Sequence, residues 1–313
     1  MTKLRFFFIL LAATLMAACS SDDDKPDTGN TVANVNRNDA SKEPALQRLE
    51  FPKVKGGNSI VIIHSCNDDI GINYSVEWDC EKKSQRWSCY QMNSKTLAHN
   101  TSRYTSQTNQ YPMDPMLPAN QYLSKDCFYG SGFDHGHICP SADRLYSAEA
   151  NKQTFYLTNM QPQYKAFNGS LSDKENYKNE WSPWYRLESQ VRGWANTPNA
   201  EMLYVVKGGT IEDDQILPNM LYGEMRVPKY FFVALLQKYK QSYRAIGFWM
   251  EHKSNYEAKL PLGNYAVNID ELERLTGIDF FCNLPDNIEN EVEAMPLKDV
   301  KWLWNLEEPS SNK

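Results

Sequence analysis

The stretch GFDHGHICPSADR, residues 132–144, places two of the chain's five histidines one residue apart, behind an aspartate and ahead of a cysteine and an arginine. In an extended strand side chains alternate between faces, so His135, His137 and Cys139 would share one, a spacing with which a zinc site can begin. No second cluster of His and Cys follows to complete four ligands. Two other readings of the same residues remain: imidazoles hydrogen-bonded at a strand end, or a general base with its supports. An imidazole titrates near ~6.5, so a neutral ring can take a proton from water near physiological pH.

Working outward, 313 residues with 41% hydrophobic content, including eighteen Tyr, thirteen Phe and eight Trp, are enough to bury a substantial core. The formal charge of -6 excludes a uniformly basic nucleic-acid coat and leaves room for a local basic groove. The N-terminus begins with Lys3 and Arg5, continues in an apolar run from Phe6 to Met16, and reaches Ala17 and Ala18 before Cys19. That run is too short for a permanent bilayer span and has the proportions of a secretory signal over residues 1–18. Cys19 after small residues resembles a lipobox, which makes it the expected lipidated residue and gives the chain a membrane partner through its anchor. The polar stretch that follows, acidic at Asp22 to Asp24, buries too little to fold and is expected to be a disordered tether over residues 19–48. Its aspartates resemble the surface-export signals of Bacteroidetes lipoproteins, so an exported envelope protein is expected.

Six cysteines remain after Cys19, and in an exported chain up to three disulfides are expected. Cys80 and Cys89 flank EKKSQRWS between INYSVEW and RWSCYQM, which alternate like the arms of a β-hairpin, so this pair is the local candidate. Further strands are expected at NSIVIIHS, MLYVVKGGTI, YFFVALLQKY and YRAIGFWME. Helices are expected at SPWYRLESQVRGWA, with Ser182 as N-cap and Pro183 at the first position, and at NIDELERLTG, between Asn268 as cap and Gly277 as stop. No repeat and no second linker interrupts residues 49–306, so one α+β domain is expected there, with a short flexible tail over residues 307–313.

The opening stretch does not stand alone. Asp134, His135, Gly136 and His137, then Pro140, Ala142 and Asp143, resemble the Asp-Arg-Gly-His hallmark of the DNA/RNA non-specific endonucleases of the ββα-metal (His-Me finger) class. TFYLTNMQPQYKAFN resembles that family's second block, WYRLESQVR its metal-side helix, and the likeness continues through YVVKGG, VPKYFFVALL and LERLTGIDFFCNLPD. The resemblance implies a mixed or antiparallel central sheet with flanking helices and a ββα-metal finger.

It also implies a reaction: hydrolysis of DNA and RNA phosphodiesters through contacts to the backbone. His137 becomes the general base, with Asp134 orienting its neighbours and Gly136 allowing close packing. The metal is a hard cation, Mg²⁺ or Mn²⁺, that keeps most of its waters and needs little more than one Asn carbonyl. Counting from Gln163 makes that ligand Asn168, whereas counting back from Glu188 makes it Asn179, because GSLSDKENYKNE looks inserted. Glu188 and Arg192, four apart on one helix face, are either a surface ion pair or, by resemblance, a group beside the metal's waters and a guanidinium on the phosphate. Asn159, Arg144 and Arg186 are carried as substrate-binding residues. One departure stands out: the hallmark Arg is His135 here, replacing a permanent cation by a titratable one. A surface lipoprotein that kept the fold but only binds nucleic acid or another polyanion is therefore the competing expectation. The oligomeric state is not written in the sequence.

Overall fold

The computed structural model describes residues 33–123, 126–169, 181–221, 224–240 and 242–306. Asn179, Cys19 with the apolar leader, and the tail at 307–313 lie outside the described residues.

Seven antiparallel strands form the central sheet: β1 (Ser59–Ser65), β2 (Ile72–Asp79), β3 (Ser84–Met92), β6 (Met202–Gly209), β9 (Tyr230–Tyr239), β10 (Ser242–Glu251) and β11 (Ala266–Val267), in that spatial order. The expected hairpin is β2–β3, and the late strands fall where their alternation put them. Both faces are covered, which is why β6 and β9 read as unbroken apolar runs. Leu203 and Val205 of β6 with Phe231, Val233 and Leu235 of β9 pack on one side against helix α3 (Pro183–Ala195) through Trp184, Leu187, Val191 and Trp194, with α6 (Leu297–Leu303) nearby. Their sequence neighbours Tyr204, Val206, Phe232, Ala234 and Leu236 pack on the other side against Ile269 and Leu272 of α4 (Ile269–Thr276) and Val292 of α5 (Asp286–Glu293).

The helix ends follow the local chemistry. Ser182 caps α3 by accepting from Tyr185 N at 3.3 Å, with Pro183 in the first turn. Asn268 caps α4 by accepting from Glu271 N at 3.0 Å, and Gly277 closes it at φ 66°, a conformation in which glycine has no Cβ to strain.

A smaller ribbon sits on the α3 face. Strands β4 (Asp134–His137) and β5 (Met160–Gln163) pair antiparallel, His137 opposite Met160 and Asp134 opposite Gln163. The one-turn helix α2 (Lys165–Asn168) follows, and the Ser182 hydroxyl bonds the Phe167 carbonyl, joining α2 to the start of α3. Another ribbon, β7 (Ile216–Leu221) with β8 (Met225–Pro228), and helix α1 (Ala148–Gln153) complete the regular elements used below.

Two expectations are corrected here. Residues 33–48, assigned to the tether, are packed on the domain: Asn38 is 4% exposed and bonds Pro52 O and Val54 N, and Asn34 bonds Leu284 O. Short polar side chains secure a segment that has too few apolar residues to anchor itself, so the compact unit begins at residue 33. The Cys80–Cys89 disulfide is absent, and Cys66, Cys127, Cys139 and Cys282 are also free thiols. In the hairpin register Cys89 lies opposite Ser75, whereas Cys80 sits beyond Asp79 at the turn, so the two sulfurs are several residues apart along the ribbon.

Candidate active site

Strand β4 carries the site. Its residue Gly136 is buried against β5, and a Cβ there would stand 2.4 Å from Gln163 Cδ and 2.6 Å from the Gln161 carbonyl oxygen. No other residue fits without separating the two strands. Gln161 in turn donates to the carbonyls of Gln85 and Gly209 at 3.2 Å each, fixing the ribbon to the main sheet.

His137 projects from the last position of β4. Its Nδ1 lies 3.3 Å from the His135 carbonyl, which can only accept, so Nδ1 holds the proton and Nε2 holds the lone pair. That Nε2 is buried and has no hydrogen-bond partner. Burial, with the charge of Arg103 adding to it, pushes the ring's pKa down to about 3. The imidazole is therefore neutral throughout the physiological range, in the tautomer a general base requires. Phe155 meets it edge-on with ring centroids at 4.8 Å.

Asp134 opens the same strand and accepts from Asn168 Nδ2 at 2.9 Å. This bond turns the amide so that Oδ1, its only cation-binding atom, is the end left for a ligand. Asn168 ends α2, which is held at both ends. His252 Nε2 accepts from Tyr164 N at 2.7 Å while its Nδ1 donates to Pro228 O, and Gly169 at φ 85° lets the chain leave where a Cβ would strike Tyr185 at 2.6 Å. A preset amide oxygen, held by the strand that also carries the unpartnered imidazole nitrogen of His137, suits a hard, largely hydrated divalent ion. A zinc cage does not fit: Nε2 of His135 is taken up by Asp126, and Cys139 is 0% exposed in the core.

On α3, Glu188 and Arg192 do not pair with each other. Glu188 accepts from Lys207 Nζ at 3.0 Å, and burial raises its pKa above the usual carboxylate range. Lys207 is buried on β6, lies over the Trp184 ring at 4.4 Å, and also acts electrostatically on His137. Arg192 donates to Asp143 Oδ1 at 2.9 Å, and Asp143 also accepts from Tyr90 OH. The Ala-Asp of the opening stretch thus positions the arginine of a helix some fifty residues later, which remains partly exposed at 27%.

His135 shares the His137 side of β4 and does something different with it. Its ring is stacked between Tyr111, at 3.6 Å and 6°, and Phe128, at 4.4 Å and 24°, and Nε2 donates to Asp126 at 2.9 Å. Against the push of burial, that bond holds the Asp126 carboxyl below its usual range. An arginine does stand close by: Arg103 is exposed, lies over the Phe155 ring at 4.8 Å, bonds Tyr111 and acts on His137.

Three expected substrate contacts are placed elsewhere. Arg144 is 0% exposed, donating to the carbonyls of Asp143 and Gln91 with its guanidinium 4.4 Å over Tyr90. Asn159 is also 0% exposed; its amide donates to Cys139 O and Thr154 O and accepts from Cys139 N, so it clamps the end of β4 rather than lining a cleft. Arg186, two residues before Glu188 and so on the far side of α3, donates to Leu260 O. Sequence reading assigned Arg103, Lys207 and His252 no part in the site, and named Asp143 in the motif without its bond to Arg192. Lys207 had a signal, a lone charge inside a strand otherwise apolar on both faces; Arg103 lies in a polar loop and had none.

The model of DNA/RNA non-specific endonucleases matches residues 66–287, a span that contains every residue of this constellation. The chain belongs to that family. A nuclease of Nostoc sp. is 31% identical over 229 residues, covering 71% of this chain and 75% of the relative. The mitochondrial nuclease EXOG of Xenopus laevis is 27% identical over 240 residues, covering 73% of this chain and 61% of the relative. One chain of the solved EndoG/EndoGI complex superposes with a TM-score of 0.57 at 19% identity, over 74% of this chain and 91% of that one, which establishes the shared ββα-metal fold. Within this endonuclease family a divalent metal is implied, and the Asn168 amide oxygen is the donor here that suits one.

Proposed function

We propose that this endonuclease hydrolyses both DNA and RNA with His137 as general base and one hydrated Mg²⁺ held through Asn168. The observation that carries this reading is the buried Nε2 of His137, a lone pair with no protein partner on a ring kept neutral. A water between that nitrogen and the phosphorus loses its proton to Nε2 as it attacks, and Nδ1 stabilises the resulting imidazolium by its bond to the His135 carbonyl. The ion, when bound, neutralises charge on the phosphate and assists the departing oxygen. Asp134 keeps the Asn168 amide turned toward that role, and Asp143 keeps the Arg192 guanidinium, a fork matched to phosphate oxygens, at the mouth of the site. Arg103 supplies the second positive charge that His135, committed to Asp126 and its two aromatic neighbours, does not present.

The test uses residues 33–313 with supercoiled plasmid and with RNA, in the presence and absence of Mg²⁺, beside His137→Ala. Cleavage of both polymers by the parent and neither by the variant is expected. If the folded parent retains nucleic acid on a filter yet leaves both polymers intact, the binding-only reading takes its place. We also propose export and lipidation at Cys19, on the strength of the leader composition; incorporation of labelled fatty acid into the parent but not into Cys19→Ser is the expected result.

A further inference from the structure

On the sheet face away from His137, helices α4 and α5 bring together acidic side chains that the nuclease reaction does not use. Asp270 and Glu273 lie one turn apart on α4, and Glu293 of α5 meets them; one carboxylate oxygen from each lies within 4.8 Å of the others. Like charges one turn apart and face to face destabilise a helix pair unless something offsets them. Glu293 is only 7% exposed, and its Oε1 is buried without any hydrogen-bond partner. Glu289, one turn earlier on α5, and Asp279 add two more carboxylates beside them, bridged by Asn36 Nδ2 at 2.8 Å and 3.2 Å.

No cation of the described residues pairs with this group. Arg274 is taken by Glu271 at 2.6 Å, and Lys53 donates to the carbonyls of Asn36 and Arg37. Burial and mutual repulsion raise the pKa of Glu273 to about 8, of Glu289 to about 7 and of Glu293 to about 10, so the group is poised to exchange protons for a cation. A proton shared between Glu293 and a neighbouring carboxyl is the alternative that the calcium titration below separates from a bound ion. The Oδ1 of Asn36, whose Nδ2 bonds Glu289 and Asp279, is also buried without a partner. Asp270 is exposed and keeps one side open to water.

We propose that Asp270, Glu273 and Glu293 form a second cation site, separate from the catalytic one, that takes a calcium-like ion and clips α4 to α5. All-oxygen ligands, irregular placement and a solvent-open side suit calcium, which accepts six to eight oxygens in flexible geometry, better than magnesium, which requires a near-ideal octahedron. The N-terminal segment fastened by Asn36 would be steadied with it.

The test strips the full chain with EDTA, then counts bound Ca²⁺ by equilibrium dialysis and follows Tm as Ca²⁺ is added, for the parent, Glu293→Gln and Asp270→Asn. The parent is expected to bind one more Ca²⁺ than Glu293→Gln and to gain about 5 °C in Tm at a hundredfold excess over Kd, a gain the variant lacks. Asp270→Asn, at an exposed position that folding does not depend on, is expected to weaken that binding roughly tenfold or more and so carries the test if Glu293→Gln does not fold. Mg²⁺-dependent plasmid cleavage should be unchanged in both, separating this site from that of His137. The proposal is overturned if parent and both variants bind equal numbers of Ca²⁺ with equal affinity. It is equally overturned if Glu293→Gln merely melts higher while the parent ignores Ca²⁺, since the cluster is then only a set of protonated acids.

Discussion

On the α3 side of the sheet, buried charges have been given opposites: Lys207 meets Glu188 at 3.0 Å, and Asp143 meets Arg192 at 2.9 Å. On the α4–α5 side, five carboxylates crowd together, and Lys53, whose charge reaches Asp279, donates to backbone carbonyls instead. The difference teaches where each face depends on something from outside. Near His137 the protein's own groups are balanced and the atom left over is a lone pair, which calls for a water and a substrate. Between α4 and α5 the surplus is negative charge, which calls for a cation. A buried charge without an opposite is costly enough that such a surplus points to what offsets it.

The largest effect that can break this contrast is expected at the lone pair. His137→Ala should lower kcat by about 10³-fold while leaving Tm within a degree or two, since the ring's Nε2 bonds nothing in the fold. An equal loss of Tm and rate would make the imidazole a structural element, and the contrast between faces would disappear. Next comes Arg144→Ala, expected to cost roughly 3 kcal/mol of stability because a fully buried guanidinium and its two carbonyl bonds are removed. The rate per folded molecule should hold in a urea-calibrated assay, and a fall in rate with stability intact would restore Arg144 to the substrate surface. Smaller again, Asp134→Ala should raise the Mg²⁺ needed for half-maximal rate by roughly tenfold to a hundredfold, as expected for a residue that orients a ligand.

The mildest and most informative effect is the dependence of Tm on pH, because the two faces have opposite signs. The folded pKa of His137, about 3, lies below its unfolded value near ~6.5, so the unfolded chain binds more protons between them and stability falls as pH drops through that window. Glu273, Glu289 and Glu293 are raised to about 8, 7 and 10, so the folded chain binds more protons above the ordinary carboxylate range and stability falls as pH rises from there toward those values. Three raised carboxyls outweigh one lowered imidazole above the ordinary carboxylate range, so melts between pH 4 and 9 are expected to show the highest Tm at roughly pH 4 to 5 and a decline toward pH 9. Calcium should flatten the alkaline side and leave the acid side alone.

How much of this was legible before the coordinates depended on how local the cause was. Caps and stops act within one turn, so Ser182, Asn268 and Gly277 announced their helices. The hairpin and the late strands were written in alternation, and the likeness to a known nuclease family singled out Asp134 and Asn168, which the fold joins by a hydrogen bond. Arg144 and Asn159 were misplaced because composition cannot distinguish a polar side chain that touches substrate from one that satisfies buried carbonyls. The acidic cluster was hidden for a related reason: NIDELERLTG and the segment around Glu293 each look like a solvated helix, and only their packing turns ordinary surface carboxylates into neighbours. Cysteine count suggested bridges, but register decides which sulfurs can meet, and register is a property of the folded ribbon.

His137 takes its orientation from the carbonyl of His135, two residues back on the same strand. An orienting partner made of backbone is invisible to an alanine scan: every side chain around the base can be exchanged in turn and the group that selects its tautomer will still be there. Weakening it takes chemical synthesis, an ester linkage in place of the 135–136 amide, and a survey confined to the twenty genetic side chains would conclude that this base works alone.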